Sequence, residues 1–287
     1  MTLKLSSSRI VRSAAALLTA GTLAMSTPTA DALINAYDAP FTATSASSAR
    51  TQIGDMACTA TLISPTTLLT AKHCIGHGRY SRISIGREHD GELRYARDVI
   101  LHPSADLALV RLNEPSSRPP VPVSGLHLGS GMRGDIVGWG VSGNNPLLPV
   151  QASTVSVQRR VFHVPSPEPD LILIETFMDR GRIQRGDSGG PLFVGGGLAG
   201  VLSMSNAGAG NSVEGTIGWY TPVAEHLDWI RRNSDAVVWA EQGAPSPLID
   251  NNVSPTYAPP PPAPTLGDMV RGFFPQLPYF PIPGLSS

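Results

Sequence analysis

Gly186-Asp187-Ser188-Gly189-Gly190-Pro191 is the stretch from which the rest of the chain is read. A serine set among glycines points its own backbone N–H at a reacting carbonyl. The glycine two positions earlier, having no side chain, lets the loop curl so that a second N–H reaches the same oxygen. Such a turn is a nucleophile only if a base and an orienting acid lie elsewhere. Thr70-Ala71-Lys72-His73-Cys74 offers the base, because His73 ends an apolar strand and is anchored beside a cysteine. His77, His89, His102, His127, His163 and His226 have no comparable framing. Asp106-Leu107-Ala108-Leu109-Val110 offers the acid. A carboxylate entering an apolar strand needs a partner, and an imidazole N–H provides one.

Composition narrows the class. The 287 residues suit one large all-β domain or two smaller ones. Only 15% are charged, the formal net charge is −1, and no basic run exists to neutralise several phosphates, which argues against nucleic acid as a partner. Lys4, Arg9 and Arg12 precede an apolar run at 14–25 and the small-residue end Ala30-Asp31-Ala32, which reads as a secretory signal peptide over residues 1–32. That run is shorter than the roughly 20 residues of a transmembrane span, and no later segment qualifies. Export favours oxidation, so the two cysteines, Cys58 and Cys74, form one disulfide. Closing a loop of about 15 residues constrains the unfolded chain by about 3 kcal/mol. The cysteines have no metal-ligand partner set, so neither a metal nor another cofactor is expected.

Short apolar runs at 59–62, 67–70, 83–85, 98–101, 107–112, 135–137, 154–157, 171–176, 191–194, 200–204 and 218–223 are separated by glycine, proline and polar turns. Evenly spaced strands without long helical patterns mean an antiparallel barrel or sandwich. One closing helix is predicted at 223–232, where Val223, Leu227 and Ile230 recur at helical spacing. From 243 to 287 the chain is rich in proline, including Pro259, Pro260, Pro261 and Pro262, and reads as an extended tail. Phe273, Phe274, Tyr279 and Phe280 make that tail more apolar than an ordinary linker, so it is a candidate surface for a partner.

These motifs, in this order, resemble the chymotrypsin-like (trypsin-like) serine peptidases from residue 33 to about residue 235, which implies a peptidase domain over 33–242. Supporting matches are His102-Pro103, Gly138-Trp139-Gly140, Val201-Leu202-Ser203 and Gly218-Trp219-Tyr220-Thr221-Pro222-Val223. The resemblance implies two six-stranded antiparallel β-barrels and a C-terminal helix, with the active site between the barrels. It implies a peptide or protein substrate, His73, Asp106 and Ser188 as triad, and the N–H groups of Gly186 and Ser188 as oxyanion hole. It also gives Asp187 a separate task, pairing with a buried α-ammonium at the mature N-terminus. Cutting after Ala30-Asp31-Ala32 exposes Leu33-Ile34-Asn35-Ala36, so export processing itself would create the activating terminus. A free α-amino group titrates near 7.7–8.0; pairing raises that value, so activity is expected to fall in more alkaline solution.

The chain departs from the family at its specificity pocket. Both cysteines are used at Cys58–Cys74, leaving no bridge to brace the second barrel. The pocket-base position falls on Arg182, which suits an acidic or small polar residue before the scissile bond or else faces solvent or pairs with Glu214. Gly218 is expected to leave the pocket open, while Ser203, Met204 and Ser205 run along the substrate backbone. The residues also admit two rival readings. Gly186, Ser188 and Gly190 also fit the nucleophile elbow of α/β-hydrolases, but that fold places its histidine after the serine, where only His226 stands, inside the helix pattern. The other rival is a non-catalytic homologue that binds partners through its tail.

Overall fold

The computed structural model describes residues 33–140, 148–162, 164 and 171–252. The expected signal peptide, residues 1–32, and the stretch beyond Asn252 lie outside these residues. In chain order the elements are β1 Tyr37–Asp38, α1 Ala43–Ala46, β2 Ser48–Ile53, β3 Met56–Ser64, β4 Thr67–Thr70, β5 Ser81–Ile85, β6 Glu92–Arg94, β7 Ala96–Leu101 and β8 Ala108–Leu112. There follow β9 Val123–Leu126, β10 Arg133–Gly138, β11 Gln151–Phe162, β12 Leu173–Met178, β13 Pro191–Val194, β14 Gly197–Ser205, β15 Ile217–Pro222, α2 Leu227–Asn233, β16 Val238–Gln242 and β17 Leu248–Asp250.

The molecule is two β-barrels, as expected. In the first, β5, β2, β3, β4, β8 and β7 are neighbours in that order, with β6 flanking β5. Its two ends meet through Ala96 N–H donating to Ser81 Oγ at 2.9 Å. In the second, β10, β11, β12, β15, β14 and β13 form a ring closed by the β13–β10 pairing. The barrel ladders are antiparallel, but β9 lies parallel to β14 and β16, and β17 lies parallel to β11. Within the stretch read as tail, therefore, Leu248–Asp250 forms a short strand on the second barrel.

Among the described residues four apolar clusters hold this together, a small one being Val161, Val164, Leu171 and Leu173. Ala49, Leu62, Leu68, Ile83, Val110 and Leu112 fill the first barrel. Ile136, Val155, Ile174, Leu192, Leu202 and Tyr220 fill the second. A third lies at the seam and includes Leu69, Leu107, Leu109, Trp139, Phe193, Val201 and Ile230. Successive side chains of a strand point to opposite faces, so Val110 enters the barrel and Leu109 the seam. Strands buried on both faces read as continuous apolar runs, which is why β4 and β8 are evident in the sequence. The closing helix begins as a 3-10 turn at Val223–His226 and buries Leu227, Trp229 and Ile230. A second, one-turn helix, α1, was not anticipated; Thr42 and Ser45 cap each other at its start.

Candidate active site

β4 delivers His73 to the seam. A 3-10 turn, Lys72–Cys74, follows the strand, and the disulfide from Cys74 to Cys58 on β3 pins its end. Asp106 is held by the turn that precedes β8. There the Nδ1 of buried His102 accepts the N–H groups of Ser104 at 3.2 Å and Ala105 at 2.8 Å. His102, which the sequence offers only as part of the supporting His102-Pro103 match, thus shapes the loop that carries the acid.

The acid and the base meet as expected. Asp106 Oδ2 accepts His73 Nδ1–H at 2.8 Å, and Oδ1 accepts the His73 backbone N–H at 3.0 Å. Ser203 Oγ–H donates to Oδ2 at 2.6 Å. Asp106 is 3% exposed. Burial alone would raise its pKa, but the hydrogen bond and charge of His73, the Ser203 hydroxyl and the His73 backbone N–H together hold it below the usual carboxylate value. An ionised carboxylate only accepts, so the His73 proton sits on Nδ1 and Nε2 is the free acceptor. Ser203, expected along the substrate, turns its hydroxyl inward to the acid. Met204 and Ser205 end β14 half-buried, and Met204 packs against Val161, Val164, Leu171 and Leu173.

The Ser188 loop is fastened to both barrels. Thr59 N–H donates to Ser188 O at 2.9 Å, and Gly189 N–H donates to Leu202 O at 2.8 Å. Thr59 Oγ–H donates to Gly186 O at 2.9 Å while accepting Trp139 N–H at 3.1 Å. Ser188 is thereby bracketed by Thr59, next to Cys58, and by Leu202, next to Ser203. Gly186 has φ +92° and Gly189 φ +77°, backbone that side chains rarely adopt. A Cβ on Gly189 would also lie 2.1 Å from Thr70 Oγ1. Among the described residues, the N–H groups of Gly186 and Ser188 make no hydrogen bond. Thr59 and Thr70 were missed in the sequence because a threonine inside an apolar strand reads as filler.

Asp187 and Leu33 are also brought together. Asp187 is 1% exposed, and its Oδ2 accepts Gln184 N–H at 2.8 Å. Among the described residues, no group completes a hydrogen bond of good geometry to Oδ1. Burial pushes this carboxyl up to about 7, opposed only in part by the backbone N–H groups of Gln184, Leu33 and Gly140. Leu33 is buried in the core of the second barrel, and Ile34 pairs with Arg182 as an isolated antiparallel bridge.

One alternative for the specificity pocket is corrected. Arg182 does not pair with Glu214: its guanidinium donates to Ser212 O at 3.4 Å, while Glu214 accepts the N–H groups of Gly208 and Gly210. Gly218 is closely surrounded. A Cβ there would lie 2.8 Å from both Ile183 Cδ1 and Tyr220 Cε2, so neighbouring side chains already fill that space. Cys58, His73 and Cys74 are close enough to share a cation, but both sulfurs are committed to the disulfide and neither is a thiolate.

The chain matches the Trypsin family profile over residues 34–230. A protein of Corynebacterium glutamicum described as an uncharacterized peptidase is 40% identical over 263 residues, covering 90% of this chain and 93% of its own. Human kallikrein-15 is 31% identical over 219 residues, covering 62% of this chain and 81% of its own. Among solved structures, mouse neuropsin, a serine protease, superposes with a TM-score of 0.55 at 19% identity, covering 70% of this chain and all of its own. That last likeness concerns the fold.

Proposed function

The chain belongs to the trypsin family of peptidases, and from that membership we propose that it is a secreted serine endopeptidase. The observation that carries the reading is the Asp106–His73 pair, closed by Ser203 and set beside a Ser188 loop whose two oxyanion N–H groups are unspent. His73 Nε2 takes the Ser188 Oγ proton as Oγ bonds to the scissile carbonyl carbon. The carbonyl oxygen, now an anion, settles on the Gly186 and Ser188 N–H groups. When the C–N bond breaks, His73 returns the proton to the leaving amine and an acyl-enzyme remains. Water, deprotonated by His73, then releases the acid. Asp106 keeps the imidazole in the right tautomer and stabilises its cation. Each oxyanion donor is worth about 2.7–4 kcal/mol of barrier.

Leu33 as the mature N-terminus places an α-ammonium beside the partnerless side of Asp187, so export processing activates the enzyme. Sequencing the N-terminus of secreted protein tests this; a start well upstream or downstream of Leu33 contradicts it. For the residue before the scissile bond, the filled space at Gly218 and the guanidinium of Arg182, which has no acidic partner among the described residues, favour a small or acidic side chain. Cleavage profiling on a peptide library, with Ser188→Ala as control, tests the activity and the pocket together. We expect cuts after small or acidic residues that vanish in the variant. A preference for Lys or Arg overturns the pocket assignment, and cuts that persist in the variant overturn the mechanism.

A further inference from the structure

We propose that the groove beyond Gly186 is an anion-recognising subsite that takes a carboxylate within the first two residues after the scissile bond. This rests on the peptidase reading and adds a substrate class to it. The groove, about 340 Å³, is lined by Arg50, Gln52, Cys58, Arg82, Arg185 and Gly186 among others, and among the described residues no acidic one lines it.

Sheet register builds the basic wall. Gln52 lies opposite Arg82, and Arg50 opposite Ser84, in the β2–β5 ladder. Side chains two apart on a strand share a face, so Arg50, Gln52, Arg82 and Ser84 stand together. Arg185 enters from the other barrel, next to the oxyanion loop. Arg50 is held in place: its Nη1–H donates to His89 Nε2 at 2.8 Å, and its Cζ lies 5.9 Å from the Trp139 ring centroid. Burial first, and then the charge of Arg82, weaken the hold of Arg50 on its proton. An anion between the two relieves that repulsion.

These three arginines line one groove and have no carboxylate among the described residues to neutralise them. Arg94, Arg133, Arg159, Arg160 and Arg231 each meet a carboxylate. Among the described residues, Arg50, Arg82 and Arg185 meet none. Guanidinium groups stay charged and grip carboxylates through parallel N–H donors. Position assigns the subsite. Gly186 belongs both to the groove and to the oxyanion hole, whereas Ser203, Met204 and Ser205, beside which the acyl half runs, do not line it. The groove therefore receives the leaving half, and at about 3.3–3.6 Å per residue the first or second residue reaches it. The carboxylate comes from an acidic side chain or from the C-terminus of a short leaving peptide.

The test uses protein expressed as the full chain and quenched peptides that share one acyl half. One series carries Glu, Gln or Lys at the second position after the scissile bond, with an amidated end. Another ends at that position with a free or an amidated carboxyl. Expected is a kcat/KM higher by about tenfold for Glu over Gln, the scale of a charge-assisted contact, falling as salt screens it. A gain for the free carboxyl in the second series assigns the C-terminus as the source, and a gain confined to the first assigns the side chain. The Glu/Gln ratio should collapse toward one in Arg82→Gln/Arg185→Gln and survive in Arg82→Lys. Equal rates for Glu and Gln and for free and amidated ends, or a ratio untouched by the double variant, overturn the proposal. Labelling of Ser188 by a fluorophosphonate reports separately on the peptidase reading. If labelling fails, anisotropy of the Glu and Gln peptides decides the groove: tighter binding of the Glu peptide, lost in the double variant, supports it, and equal binding overturns it.

Discussion

A buried carboxyl without a cation should make the uncut chain lose stability as pH rises. Asp187 is enclosed, Oδ1 has no hydrogen bond of good geometry among the described residues, and Gly138 packs so closely that a Cβ there would lie 2.2 Å from that oxygen. Its pKa rises from 3.8 to about 7. At about 1.36 kcal/mol per pH unit, a shift of about 3 units is a penalty of about 4 kcal/mol for keeping it ionised. The sign is that of a raised acid. The folded chain holds the proton more tightly than the unfolded one, so this contribution is fully present below pH 3.8. It is lost as pH rises to about 7 and is flat above. An α-ammonium on Leu33 reverses the effect by favouring the ionised form. Urea denaturation from pH 4.5 to 7.5 is the assay, in a Ser188→Ala background to prevent self-cleavage. A chain beginning at Leu33 is compared with one retaining residues 26–32. The two should differ little at the acid end and by several kcal/mol at pH 7.5. Asp187→Asn should flatten the profile of the longer chain and destabilise the shorter. Parallel profiles for the two chains, or no flattening by Asp187→Asn, would refute the reasoning.

Other perturbations test the frame around Ser188. Gly189→Ala forces a side chain into φ +77° with its Cβ 2.4 Å from Thr59 O, and should lower stability by at least about 2 kcal/mol; a melting temperature within a degree of the parent would contradict this. Thr59→Val removes the donor to Gly186 O and the acceptor of Trp139 N–H, each costing about 1–3 kcal/mol when left unmet. We expect kcat to drop at least about tenfold with KM nearly constant, and steady-state kinetics at parity with the parent would argue against it. Glu175→Ala strips the bidentate partner from Arg159 and the acceptor of Trp219 Nε1–H in the second barrel. It should destabilise by about 3–5 kcal/mol, whereas Asp179→Ala, which breaks the more exposed pair with Arg133, should cost about 1 kcal/mol or less. Denaturation midpoints of the two variants decide, and similar values would show that burial is not the controlling factor.

Legibility followed burial. β4 and β8 were evident because both faces are apolar, and β14 because Leu198, Val201 and Leu202 are buried within it. β2, Ser-Ala-Arg-Thr-Gln-Ile, was not, since its buried Thr51 is satisfied by Cys58 O rather than by apolar neighbours. β17 escaped notice among prolines because a parallel edge pairing on β11 needs little apolar area of its own. In the site, His73 and Asp106 stood out through their framing. The duties of Thr59, His102 and Thr70, whose hydroxyl donates to Thr59 O at 2.8 Å, did not, because they are side-chain bonds to backbone groups. Thr59 reaches Gly186, 127 residues away, and no local pattern encodes that meeting. The filling of the Gly218 space by Ile183 is likewise a matter of packing, invisible to residue spacing.

Covalent modification by a fluorophosphonate, read by intact mass and peptide mapping on the processed protein, bears on the whole account. The expected result is one adduct, on Ser188, with peptide hydrolysis abolished in step and no adduct in Ser188→Ala. His73→Ala should slow labelling severely. An unmodified Ser188 in protein that begins at Leu33, or hydrolysis that continues in Ser188→Ala, would contradict the account.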